Sequence, residues 1–309
     1  MKQLQFVKRQ HASHWVGDGF PVRNIFSYAD MAQQLSPFLL LDYAGPAIFE
    51  PTTARRGVGQ HPHRGFETVT IVYAGEVEHC DSTGAGGTMG PGDVQWMTAA
   101  GGILHEEYHA SAYARRGGPF EVAQLWVNLP ARHKADPPGY QSLTDARIPR
   151  VELPDGAGSV RVIAGEFMGQ RGPARSFTPM NVWDVRLGAG RHVELSLPAG
   201  HTTALLLQRG RLVLPGGEAL VAADFALFER ADETLALAAA AGEEDARLLL
   251  MVGEPIDEPV VGQGPFVMNT AAEIEQAFID HRNGRLAQPA AVAASAAAAA
   301  AAARPGQAA

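Results

Sequence analysis

The chain of 309 residues is 46% hydrophobic and 19% charged, the balance of a soluble globular protein with material for one large domain or two of roughly 150 residues each. A net charge of −8 argues against a generic nucleic-acid-binding surface, which needs clustered positive charge to displace phosphate counterions. The single cysteine, Cys80, excludes an intrachain disulfide framework and a cysteine-rich zinc site, and no signal-peptide core or apolar run of about 18 residues is present, so a cytoplasmic location without a membrane span is expected.

Short apolar runs at 68–73, 94–97, 125–129, 203–207 and 248–252 are bounded by Gly, Pro or Asp and read as strands. Their spacing predicts an all-β chain. An internal echo divides it: Gly75, between two strand-like runs, has a counterpart in Gly210, and Asp93-Val94-Gln95-Trp96-Met97 has one in Asp224-Phe225-Ala226-Leu227-Phe228. The expected organisation is an N-terminal barrel at 1–138, a linker at 139–158, a C-terminal barrel at 159–265 and a helical segment at 266–286. The helix is marked by a capping box, Thr270 to Glu273, followed by Ile274, Ala277 and Phe278 at helical spacing. Residues 287–309, mostly alanine, offer no large side chains to dock and read as a poorly packed appendage, so a cut after Arg285 is expected to be nearly silent.

The chemistry concentrates in the first half. His61-Pro62-His63 and His105-Glu106-Glu107 each place two donors at i and i+2, which on a strand face the same side about 6.6–7 Å apart. Two adjacent antiparallel strands carrying these pairs inward would form a pocket of three histidines and one carboxylate. That donor set suits Fe, Mn, Co, Ni, Cu or Zn and leaves octahedral positions open. Glu67, four residues after His63, competes with Glu107 for the carboxylate role unless Gly65 bulges the strand and turns it away.

The blocks 61–70 and 91–107, with Leu125-Trp126-Val127-Asn128-Leu129, Gly253-Glu254-Pro255-Ile256 and 264–270, resemble the pirin family of the cupin superfamily. The resemblance runs from about Gly17 to Arg285. It implies a bicupin of two jelly-roll barrels with one divalent metal in the first, iron(II) being the expected ion, held by His61, His63, His105 and Glu107. It also implies a quercetin 2,3-dioxygenase activity on a flavonoid or phenolic substrate with dioxygen, with Glu107 as general base. The alternative implied role is a metal- or redox-sensing regulator that contacts a transcription factor or a metabolic enzyme.

Several further residues are candidates. Phe66, Trp96 and Met97 flank the ligand strands and would give a flat phenol an aromatic wall. Asp42 is placed to reach the outer nitrogen of a ligand imidazole and fix its tautomer. His79, Cys80 and Asp81 precede Ser82-Thr83-Gly84 and read as a solvated loop. In the second repeat the ligand positions fall on Ser196, Pro198, Ala236 and Ala238, none a ligand of this type, and His192 and His201 read as rim residues. The second barrel is therefore expected to be metal-free.

Overall fold

The computed structural model describes residues 1–9, 13–242 and 244–286. Antiparallel strands dominate, as the short β-branched runs predict, and form two tandem sandwiches of one seven-stranded and one four-stranded sheet each. The first large sheet runs in the order Gly139–Leu143, Val94–Thr98, Phe66–Ala74, Gly118–Asn128, Phe38–Phe49, Phe20–Ser27, Ser13–Val16. Its small partner runs Gly57–His63, Ile103–His109, Val77–Asp81, Gly86–Met89.

The second sandwich repeats the plan. Its large sheet runs Leu4–Lys8, Phe225–Phe228, Thr202–Arg209, Ala246–Gly253, Met180–Leu187, Gly158–Ala164, Arg150–Glu152. The small sheet contains His192–Ser196, Thr234–Ala239, Leu212–Val213 and Ala219–Leu220. The echo around Gly75 and Gly210 is thus a repeat of strand, glycine turn and strand in three dimensions.

Two sequence boundaries differ from this arrangement. Leu4–Lys8 pairs with Phe225–Phe228 and so extends the second large sheet, although it lies within 1–138. The segment expected as a linker carries two paired strands, Gly139–Leu143 on the first large sheet and Arg150–Glu152 on the second. Edge pairing between segments so distant in sequence leaves no local signal.

The two large sheets pack face to face. Val69, Ile71, Trp96 and Leu125 from one meet Leu206, Phe225, Leu249 and Met251 from the other in a shared core. Each such large apolar side chain contributes about 1.5–3 kcal/mol by leaving water. Because neighbours along a strand face opposite sides, Phe66, Thr68, Thr70 and Val72 point the other way, into the first sandwich.

The interiors of the two sandwiches differ in chemistry. In the second, Val193, Leu195, Leu197, Leu205, Leu207, Leu235, Leu237 and Trp183 fill the space between sheets. The repeat offset from His105 and Glu107 lands on Ala236 and Ala238, which alternate with the buried Leu235, Leu237 and Ala239, and His192 is exposed. The first sandwich holds polar groups instead: His63, His79, His105, Glu107 and Thr70 are all buried.

The C-terminal segment returns to close one end of the first sandwich. Phe266–Met268 leads into the helix Ala271–Arg282, where the Thr270 oxygen accepts from the Glu273 amide at 3.2 Å and the Asn269 amide donates to the Glu273 carboxylate at 3.1 Å. The buried Lys134 ammonium donates to the carbonyls of Gly65 and Val267, at 2.6 and 3.0 Å, and ties this segment to the turn after His63. Arg64 adds an ion pair to Asp280 at 3.0 Å.

Leu286 is buried with Phe266, Met268, Ile274 and Ala277 and lies against Gly102. A cut after Arg285 removes it, so the expectation of a silent cut is corrected. Leu286→Ala should cost roughly 2 kcal/mol, the low end for a buried leucine, read as a lower melting temperature. An unchanged melting temperature would show that this end of the chain does not hold the sandwich. The alanine-rich stretch at 287–309 lies outside the described residues.

Candidate metal centre

The strands Gly57–His63 and Ile103–His109 pair antiparallel, with His61 directly opposite His105 and a register shift just before Glu107. Period-two alternation then turns His61, His63 and His105 toward one another. One ring nitrogen from each lies within 4.8 Å of the others. His79, His105 and Glu107 form a second such group, so His105 belongs to both.

The surroundings favour neutral rings with free lone pairs. Burial, reinforced by His61, pushes His63 down to about 3, and burial with the imidazoles of His63, His61 and His79 holds His105 well below its usual range. The His61 Nδ1 lies 2.9 Å from the Gly59 carbonyl, which can only accept, so that nitrogen carries the proton and Nε2 is left bare. His105 Nε2 is buried without any hydrogen-bond partner. Buried polar atoms are otherwise paired in folded proteins, and a divalent cation is the partner that would satisfy several bare imidazole nitrogens at once. The residues fit a metal ion.

Glu107 sits beside this cluster and is held from the opposite sheet. Thr70 Oγ1 donates to its Oε1 at 3.4 Å and Gln124 Nε2 to its Oε2 at 3.1 Å. A cavity of about 30 Å³, room for one water molecule, lies between Glu107, Thr70, Gln124 and Asp42. A larger cleft of about 760 Å³ opens on the outside of the second sandwich beside Arg191, His192 and Glu194, and no residue of the histidine cluster lines it.

Glu67 is placed elsewhere. Gly65 has φ of +92°, and a Cβ there would meet the Val267 carbonyl, so the chain makes a glycine-dependent turn between two separate strands. Beyond it Glu67 takes the parity of Val69 and Ile71 and faces the core between the large sheets, accepting from Thr98 Oγ1 at 2.7 Å.

Residues 19–127 match the family model described as Pirin, and residues 182–287 match the one described as Pirin C-terminal cupin domain. The chain belongs to the pirin family. A Pseudomonas aeruginosa protein provisionally named a quercetin 2,3-dioxygenase is 59% identical, covering 92% of this chain and 98% of that one. A Caulobacter vibrioides pirin-like protein is 39% identical over 91% of this chain and 98% of its own. The crystal structure of a quercetin 2,3-dioxygenase from Acinetobacter baumannii is 49% identical and superposes with a TM-score of 0.89, covering 93% and 98% of the two chains.

In this pirin the aromatic candidates divide. Phe66 packs edge-on to His63 at 5.1 Å between ring centroids and stacks on Trp126 at 4.2 Å, and Trp126 itself meets His63 at 5.2 Å. Met97 lies opposite Thr68 and packs with Ala99, Ile103 and Tyr140. Trp96 is corrected: it lies opposite Val69 and is buried in the core between the large sheets, on the far side from the histidines. Trp126, which the sequence marks only as part of the family motif at 125–129, thus joins Phe66 against His63.

Asp42 is also corrected. Its carboxylate accepts from Asn24 Nδ2 at 2.8 Å and faces the small cavity, and burial pushes it above the usual carboxylate range. Nor is 79–81 a solvated loop. Val77–Asp81 is a strand paired with Ile103–His109, with His79 opposite Glu107 and Asp81 opposite His105. Val77, His79 and Asp81 point in, whereas Cys80 is exposed. That alternation was the available signal, masked by the turn residues that follow.

The position of Glu67 has a measurable consequence. Burial pushes its carboxyl up to about 7, against the opposing pull of Thr98 and Trp96. The folded state therefore holds a proton between about pH 4.5 and 7 that the unfolded chain releases, so this group's contribution to stability is lost as pH rises through that window. Glu67→Gln is expected to stabilise the protein at pH 8 by on the order of 3 kcal/mol, with little gain at pH 4 and no change in metal content. Loss of metal in Glu67→Gln would make Glu67 the carboxylate ligand.

Proposed function

We propose that this pirin is a metal-dependent dioxygenase that opens the ring of a flavonol-type substrate, quercetin being the representative compound. The observation that carries the reading is the convergence of three imidazoles, those of His63 and His105 buried, beside a hydrogen-bonded carboxylate, inside a sandwich whose tandem repeat has an apolar interior. The name of the Acinetobacter baumannii homologue supports the substrate class. His61, His63 and His105 would hold the ion, with Glu107 as the carboxylate. Bound there, a divalent transition metal, iron(II) first among those the donor set suits, supplies Lewis acidity and open positions for oxygen donors.

The protein's own residues do the rest. Glu107 takes the proton of the flavonol hydroxyl, turning it into an electron-rich oxyanion. Thr70 and Gln124 donate to its two oxygens and fix their direction, so that no reorientation is needed when the substrate arrives. Phe66 and Trp126 pack against His63 and hold its ring in place.

Titration with quercetin tests this directly. The metal-loaded protein should shift the flavonol absorption band, and the His63→Ala protein should not. The same band shift in His63→Ala would place flavonol binding elsewhere. Metal uptake without flavonol binding would favour a sensing role over an enzymatic one.

A further inference from the structure

Resting on the proposal that His105 binds the metal, we infer that Asp81 and His79 form a proton-ordering relay that presents the correct nitrogen of His105 to the ion. They are positioning residues; neither needs to touch substrate. All three side chains are buried, and Asp81 and His79 lie on the strand paired with that of His105.

The hydrogen bonds run in one line. Asp81 Oδ2 is 3.4 Å from His79 Nε2, and His79 Nδ1 is 3.4 Å from His105 Nδ1. The Tyr140 ring stacks on His79 at 5.4 Å with 15° between planes, which holds the imidazole in that orientation. A carboxylate only accepts, so His79 carries its proton on Nε2. With one proton on each ring, His79 Nδ1 is bare and can only accept. The proton between the two Nδ1 atoms therefore belongs to His105. That leaves the lone pair of His105 on Nε2, the buried atom with no hydrogen-bond partner. His61 reaches the same tautomer through a backbone carbonyl, which has no choice of role. His105 depends on a second imidazole, and that imidazole depends on Asp81.

Asp81 is itself built to be read in one direction. Its Oδ1 accepts from the Thr83 amide at 2.8 Å and from the Thr83 hydroxyl at 2.6 Å. In an Asp81→Asn protein the backbone amide of Thr83 keeps the side-chain oxygen at this position, and the new NH₂ faces His79 Nε2. His79 must then accept there and carry its proton on Nδ1. His105 must in turn accept on Nδ1 and carry its proton on Nε2, where the metal would bind. An isosteric change thus reverses the whole line.

The relay makes a prediction that a packing role does not. Zinc(II) affinity, measured by competition with a chromophoric chelator, should fall in the order wild type, Asp81→Ala, Asp81→Asn. Alanine leaves His79 free to choose its tautomer, whereas asparagine imposes the wrong one. The loss in Asp81→Asn should be about 10–100-fold, the range for breaking an outer partner of a metal-bound histidine. If Asp81 serves packing alone, the isosteric asparagine stays nearest to wild type, and that order overturns the relay.

The second measurement is the tautomer in the metal-free protein, by long-range ¹H–¹⁵N correlation on ¹⁵N-histidine-labelled samples. Wild type should show His105 protonated on Nδ1 and Asp81→Asn should show it protonated on Nε2. The same His105 tautomer in both, or an Nε2 proton in wild type, overturns the relay. This spectrum decides it whether or not the wild type takes metal, so a failed metal titration counts against the proposed function alone.

Discussion

Replacing His105 by alanine is expected to abolish tight metal binding while leaving the circular dichroism of a β protein in place. His105 is the ring shared by both groups of donors, and its Nε2 is buried without a partner. Its loss should exceed the about 10–100-fold penalty for disturbing an outer partner, because a ligand itself is removed. The wild type should bind one equivalent per chain, since the interior of the second sandwich is apolar and carries no such group of donors among the described residues. A ligand that binds only the folded state adds about 2.7 kcal/mol at a hundred times its dissociation constant. The wild type should therefore melt higher with metal than without, and His105→Ala should melt at one temperature in both conditions. Two tightly bound equivalents in the wild type, or full occupancy in His105→Ala, would contradict the assignment.

Glu107→Gln should lower turnover of quercetin by about 10²–10⁴-fold, the range for removing a positioned general base. Glutamine keeps the size of the side chain and an oxygen for Thr70 or Gln124, but its amide is no base at neutral pH. Metal affinity should fall as well, since Glu107 is also the proposed carboxylate ligand. Measuring rates at saturating metal separates the two losses. A Glu107→Gln enzyme with wild-type rate at saturating metal would remove Glu107 from the chemistry.

Much of the centre could be read from the chain because its chemistry repeats with the period of a strand. His61-Pro62-His63 and His105-Glu106-Glu107 put both useful side chains on one face, and antiparallel pairing sets His61 against His105. The same rule, applied one residue further, explains the errors. Trp96 and Met97 are neighbours and therefore face opposite ways, so both could not line one wall. Val77, His79 and Asp81 alternate with Glu78 and Cys80, but the turn at Ser82-Thr83-Gly84 hid a strand of five residues.

Other features needed three dimensions. Whether Glu67 or Glu107 faces the histidines turns on the conformation of Gly65, which the chain tolerates but does not announce. Leu4–Lys8 joins a sheet whose other strands begin at Arg150, and Leu286 packs against Gly102. Contacts between parts of the chain so far apart leave no periodic trace in either. The asymmetry between the two interiors was legible as missing ligands in the second repeat, although the offsets landed on Ala236 and Ala238 rather than on the leucines that fill the space.

Aerobic turnover of quercetin by the metal-loaded protein, with flavonol, dioxygen and carbon monoxide measured together, decides whether this pirin is a dioxygenase. Flavonol and dioxygen should disappear in equal amounts and carbon monoxide should appear in step, and His63→Ala should do none of this. No consumption of quercetin in air with iron, manganese, cobalt, nickel or copper, by a protein shown to hold the metal, would contradict it.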